Sequence, residues 1–180
     1  MLIAPGSLFV EGKMAGTRLP HTLFFAIALA AVVQCVHDFP QLPDRVASHF
    51  GPSGMPNGWM TKSQFLTIYA IMILPALAVE FWLARRIAKT PGARVNMPNK
   101  EYWMAPERRA LTLAYFESFF AWYGCAFLLL LAFIMGMALR ANLDPSPQLP
   151  TGPTVAALAV FVVFNIAAML SMYRRFSATP

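Results

Sequence analysis

Two histidines and two aspartates lie in one short stretch: His37, Asp38, Asp44 and His49. Neutral imidazole and carboxylate are ordinary zinc ligands, so a divalent metal is the first chemistry to weigh. Their spacings match neither a helical ligand pair nor a finger pattern. A hydrogen-bonded cap on a helix bundle uses the same residues, with Asp44 satisfying backbone amides and the neighbouring charge of Arg45. A structural loop, a ligand or partner site and a metal site therefore stand side by side.

A second set sits inside apolar runs. Glu80 and Glu117 lie near the ends of two such runs, and Gln34 and Asn165 lie deeper. Burying an ionisable group in a membrane costs a few kcal/mol or more, so each acid is a functional-site hypothesis by default. The expected partners are Arg85, Arg86 or Arg109. A salt-bridged or snorkelling acid competes with proton or cation handling. No span has an acid at its centre, which argues against an ordinary ion-coupled transporter. Gln34 and Asn165 are expected to hydrogen-bond between helices. Tyr115, Phe119 and Trp122 share one helical face, and Phe116, Phe120 and Tyr123 the next, a pattern read as packing. Cys35 and Cys125 have no metal-ligand spacing and read as small buried side chains. There is no nucleophile elbow, no His-Glu-x-x-His and no haem-binding Cys-x-x-Cys-His. An enzyme is not expected, and no cofactor is predicted.

The elements that must hold these residues are membrane spans. With 58% hydrophobic and 12% charged residues, the chain cannot clothe a soluble exterior. A helix needs roughly 20 apolar residues to cross a bilayer. The sequence predicts an all-α membrane protein, a bundle of four transmembrane helices. Spans are expected at about 20–37, 63–84, 108–139 and 154–173. Pro20 suits a first helical turn, Thr61 or Ser63 a cap, and Pro75 a kink. Residues 38–61 read as a loop built from turns, because Pro and Gly punctuate it. Val32-Val33-Gln34-Cys35 loosely matches a lipoprotein cleavage site. Gln34 fits poorly there, so the first span is expected to stay uncleaved.

Charge sets the side. The net charge is +6, and 11 of the 14 Lys and Arg fall in three segments. These are 1–19 (Lys13, Arg18), the connection 85–109 (Arg85, Arg86, Lys89, Arg94, Lys100, Arg108, Arg109) and the C-terminal end (Arg174, Arg175). Basic segments stay cytoplasmic, which predicts N-in/C-in with 38–61 and 140–153 outside. The expected contact is with anionic lipid headgroups at the cytoplasmic face rather than with nucleic acid.

The string Phe39-Pro-Gln-Leu-Pro-Asp44-Arg-Val-Ala-Ser-His49-Phe50, followed by Gly54, Pro56, Asn57, Gly58, Trp59 and Lys62, resembles a bacterial membrane domain of unknown function. That domain forms the N-terminal portion of SdpI-type immunity proteins. Ala47 replaces the proline usual in its pattern. The stretch Val95–Trp103 with Pro106-Glu107-Arg108-Arg109 is also similar, so the resemblance covers about 20–110. It divides the chain into a segment 1–19, an SdpI-like domain 20–110 and a helical hairpin 111–180. It implies a multi-pass protein of the bacterial inner membrane and, in SdpI-type members, immunity to a secreted toxin. The motif positions it carries over are Pro43, Asp44, His49, Gly54, Pro56, Gly58 and Lys62, and Arg45 joins them as a candidate contact. The expectation is a non-enzymatic protein that binds a protein, peptide or signal through its outer loop. The alternative is an accessory subunit of a membrane complex or a small transporter, and a metal-dependent enzyme stands last.

Overall fold

The structure is a computed structural model. It describes residues 5–90 and 95–178, and the side chains of 17–83, 85–90 and 95–178. Lys13 and Arg94, counted above for orientation, lie outside the described side chains.

Helix α1 runs Pro5–Asp38 and ends in a 3-10 turn, Phe39–Gln41. Strands β1 (Arg45–Phe50) and β2 (Pro56–Thr61) follow as an antiparallel hairpin. Helix α2 (Lys62–Leu77) continues through a π-helical segment, Ala78–Leu83, into α3 (Ala84–Lys89). A short α4 (Lys100–Trp103) precedes the long α5 (Pro106–Ala141), and α6 (Thr151–Ser177) closes the chain. Among the described residues, four helical stretches are long and apolar enough to cross a membrane: Thr17–Gln41, Lys62–Lys89, Pro106–Ala141 and Thr151–Ser177. Leu29, Val33, Val36, Ile71, Leu74, Val160, Val163 and Ile166 are all exposed on their flanks. Apolar surface that continuous calls for hydrocarbon rather than water around it.

Three expectations are corrected. The segment 38–61 is a β-hairpin, so the protein is not wholly α. The strands escape notice because each is six residues long and Pro56, Gly58 and a register shift at His49 blur their alternation. Pro20 lies inside α1 rather than at its first turn, since the helix reaches back to Pro5 into the segment taken as separate. Residues 85–89 continue the second span as helix rather than opening the connection.

Local rules explain the helix ends. Thr61 caps α2 with a full capping box, exchanging bonds with Gln64. Pro106 occupies the first turn of α5. Pro75 cannot donate to the helical ladder, and the backbone widens into the π-helical segment three residues later. At about 54 Å from the standard rise, α5 exceeds the hydrocarbon thickness and must tilt or project.

Two buried clusters stack along α5. One joins Cys35, Leu42, Val46, Phe65 and Leu139 under the hairpin. The other joins Phe24, Ala76, Cys125 and Leu128 lower in the bundle. The cysteines are free and lie in different clusters. The aromatic residues of α5 do pack: Tyr115 stacks on Phe119 at 6.1 Å and Phe116 on Phe120 at 6.2 Å, and Phe176 of α6 meets Tyr115 and Phe116 at 5.3 Å.

Candidate functional site

The hairpin closes one end of the bundle. Val46 and Met60 face the core, while Arg45, His49, Asn57, Trp59 and Thr61 are exposed. Val46 pairs with Met60 across the register, and Arg45 with Thr61. Asn142, at the end of α5 and 1% exposed, clamps β1 from below. Its Oδ1 accepts from the Ala47 amide at 2.6 Å, and its Nδ2 donates to the Ala47 and Ala138 carbonyls, each at 2.9 Å. One side chain thereby satisfies both backbone groups of a buried strand residue. The turn is fixed too. Gly54 has φ +78°, and the Leu149 amide donates to its carbonyl at 2.9 Å. A Cβ at Gly54 would stand 2.2 Å from the Leu149 carbonyl oxygen. The loop before α6 is thus stitched to the hairpin, and both lie at the same end of the bundle.

Most motif residues build this cap. Asp44 pairs with Lys62 at 3.4 Å, and the Lys62 Nζ reaches the Leu42 carbonyl at 3.5 Å. His49 Nδ1 bonds Asn57 across the strands. Gly58 sits against His49, where a Cβ would come within 3.0 Å of the His49 Cβ. Pro43 precedes the Asp44 pair and is exposed, Pro56 opens β2, and Arg45 points outward. Of the weak metal candidates, His37 Nδ1 lies 2.7 Å from Asp38 Oδ1, whereas Asp44 and His49 have separate partners. Among the described residues no three His, Cys, Asp or Glu side chains converge as a metal site requires.

The opposite end holds the basic connection. Asn99 Nδ2 donates to the Phe176 and Ser177 carbonyls at 3.1 and 3.0 Å, and Trp103 Nε1 to Phe176 at 3.0 Å. These bonds tie the connection to the end of α6. The arginines here are largely engaged. Arg109 donates to the carbonyls of Ala88 and Thr90 at 3.1 and 3.4 Å, closing the C-terminus of α3. Arg108 and Arg86 lie over Tyr102 and Trp82, at 3.8 and 5.0 Å from the ring centroids.

One intramembrane acid has a partner that sequence reasoning passed over. Glu80, in the π-helical segment, is 3% exposed. Its Oε1 lies 2.7 Å from His21 Nδ1 of α1, not beside Arg85, Arg86 or Arg109. Those arginines follow Glu80 along the chain, but the π-helical turn aims its side chain inward. Its Oε2 is buried with no hydrogen-bond partner. Gly124 of α5 makes the room, since a Cβ there would stand 2.3 Å from Oε2. Next to it Cys125 Sγ donates to the Pro20 carbonyl at 2.8 Å, and His21 stacks on Phe81 at 5.4 Å. The signal for His21 was present. Two spans each carry one ionisable residue just inside their basic ends.

Residues 24–73 match a domain of unknown function, DUF1648. The matched domain takes in most of the first span, the whole hairpin and the first part of α2. His21 and Glu80 fall outside its two limits. No curated protein and no solved structure matches the chain.

The remaining polar groups are modest. Asn165 accepts from the Tyr123 hydroxyl and donates to Phe161 O at 2.7 Å, joining α5 to α6. Gln34 Nε2 reaches Gly136 O at 3.5 Å, linking α1 to α5. Glu117 is half-buried and lies seven residues before Gly124, two turns along α5 on nearly the same helical face.

Proposed function

We propose that this chain is a multi-pass recognition protein of a bacterial inner membrane, with N-in/C-in topology, that binds a peptide or protein partner through the outward face of its hairpin. One observation carries the reading: the hairpin is pre-organised and its outer face is left open. The Asn142 clamp and the Gly54–Leu149 bond lock the inner face. Outside, Met55 and Trp59 are 56% and 47% exposed among the polar Arg45, His49 and Asn57. A Trp with polar neighbours on a rigid support has the composition of a binding hot spot, because little ordering entropy is lost on contact. The excess of basic residues at the opposite end supports the orientation. The SdpI-like motif supplies the partner class, a secreted toxin-type peptide arriving from outside, with immunity as the outcome. The basic connection would offer a second contact, on the cytoplasmic side and beside anionic headgroups.

The test is a photo-crosslinking residue at position 59, with one at the lipid-facing position 163 as the control, in native membranes. A discrete peptide or protein adduct at 59, lost in His49→Ala while insertion persists, supports the reading. Identical, lipid-only adducts at the two positions would overturn it.

A second reading, an accessory subunit or small transporter with a site between helices, is favoured by the half-satisfied Glu80. Asn165 and Glu117 would then line the same interior. Complex assembly and transport unchanged in Glu80→Gln would remove this alternative.

A further inference from the structure

We propose that His21 and Glu80 form a proton-binding site inside the membrane, loaded from the basic end of the bundle through the imidazole. The two residues are unequal. The Glu80 side chain is wholly buried, whereas that of His21 remains 36% exposed. One member can meet water or headgroups, and the other cannot.

Chemistry sets how many protons the pair holds. With one proton between Nδ1 and Oε1, the pair is net neutral whether written as imidazolium and carboxylate or as imidazole and carboxylic acid. Net neutrality is what an apolar surrounding favours. Without that proton a bare carboxylate would remain, and its Oε2 has no donor. An ionised carboxylate calls for several donors, while a carboxylic acid can leave its carbonyl oxygen open at lower cost. Oε2 itself occupies the space that a side chain at 124 would take, so no donor can come from that position.

The surroundings single out this pair. Among the described residues the titratable groups beside Glu80 are His21 from α1 and, from α5, Cys125, whose thiol is already committed to the Pro20 carbonyl, while Glu117 stands two turns along α5 from Gly124 toward the basic end. An apolar cluster adjoins the pair, since Phe81, next to Glu80 in the chain, packs on both His21 and Phe24. Arg18 is exposed on α1, Arg85 and Arg86 are exposed beyond the π-helical segment, and Arg109 is bonded to carbonyls. The π-helical segment is a second, independent sign, because such widened turns recur at functional sites.

Transfer needs only N–H and O–H bonds. A proton taken from water on His21 Nε2 lets the Nδ1 proton pass to Glu80 Oε1, and release reverses both steps. Nothing is oxidised or reduced, and no other ligand is required.

The experiment is infrared difference spectroscopy of the full-length protein in lipid nanodiscs, with pH steps and transfer to deuterated water. A protonated-carboxyl band that exchanges with solvent is expected in the wild type and absent in Glu80→Gln. In His21→Phe the band should persist but exchange more slowly by about a hundredfold, as when a positioned acid–base relay is lost. Gly124→Ala, which presses on Oε2, should shift the band without abolishing it. The proposal is overturned if the band survives in Glu80→Gln, if His21→Phe exchanges at the wild-type rate, or if Gly124→Ala leaves the band unmoved.

Discussion

The two ends of this bundle treat buried polar groups in opposite ways. Under the hairpin, Asn142 is 1% exposed and bonds through both of its polar atoms. Near the basic end, Glu80 is almost equally buried, yet one of its oxygens has no partner. A buried group with every bond made holds architecture together. A buried ionisable group left half-satisfied lowers stability, and it persists where it does something else. Asn142 thus holds the hairpin that carries the proposed binding face, and Glu80 belongs to the proposed proton site.

The comparison can be broken most decisively at Asn142. Asn142→Ala strands the amide and carbonyl of Ala47, and at about 1–3 kcal/mol for each buried group it should cost about 2–6 kcal/mol. Reversible unfolding in mixed micelles measures this. No apolar residue at 142 should restore the loss, because the orphaned partners are backbone.

His21→Ala removes the partner that Glu80 has among the described residues and should cost on the order of 3 kcal/mol, the scale for breaking a buried pair. Here the contrast sharpens. The double variant His21→Phe/Glu80→Leu should recover most of that stability, since both members of a side-chain pair can be replaced by apolar groups. A double variant as unstable as His21→Ala would erase the distinction between the two ends.

Gly124→Ala should destabilise by about 1–3 kcal/mol through overpacking against Glu80. In a Glu80→Ala background the cost should shrink but not vanish, because the Cβ and Cα of residue 80 would still lie 3.0 and 3.1 Å from the added methyl, and a double-mutant cycle reads the difference directly. Tyr123→Phe, which removes the bond to Asn165 between α5 and α6, should cost only about 0.6 kcal/mol, as for other interhelical bonds in membranes. A larger loss would make the α5–α6 seam a third polar region to compare.

Four apolar stretches long enough to cross a membrane, and the uneven placing of the basic residues, could be read from the amino-acid order. These follow from composition and order along the chain, because a bilayer reads apolar length and charge locally. The sequence also offered Thr61 or Ser63 as a cap, and Thr61 is the one used. Only the tertiary structure decided what each polar residue touches. The hairpin register depends on Asn142, 95 residues from its partner Ala47. Pairing Glu80 with His21, 59 residues away, depends on a π-helical turn that re-aims one side chain and on a glycine from a third helix. Hydrogen bonds and close approaches between distant segments leave no local period in the sequence. The spans were therefore legible from the residues alone, and the proton-holding pair became visible only once three helices were side by side.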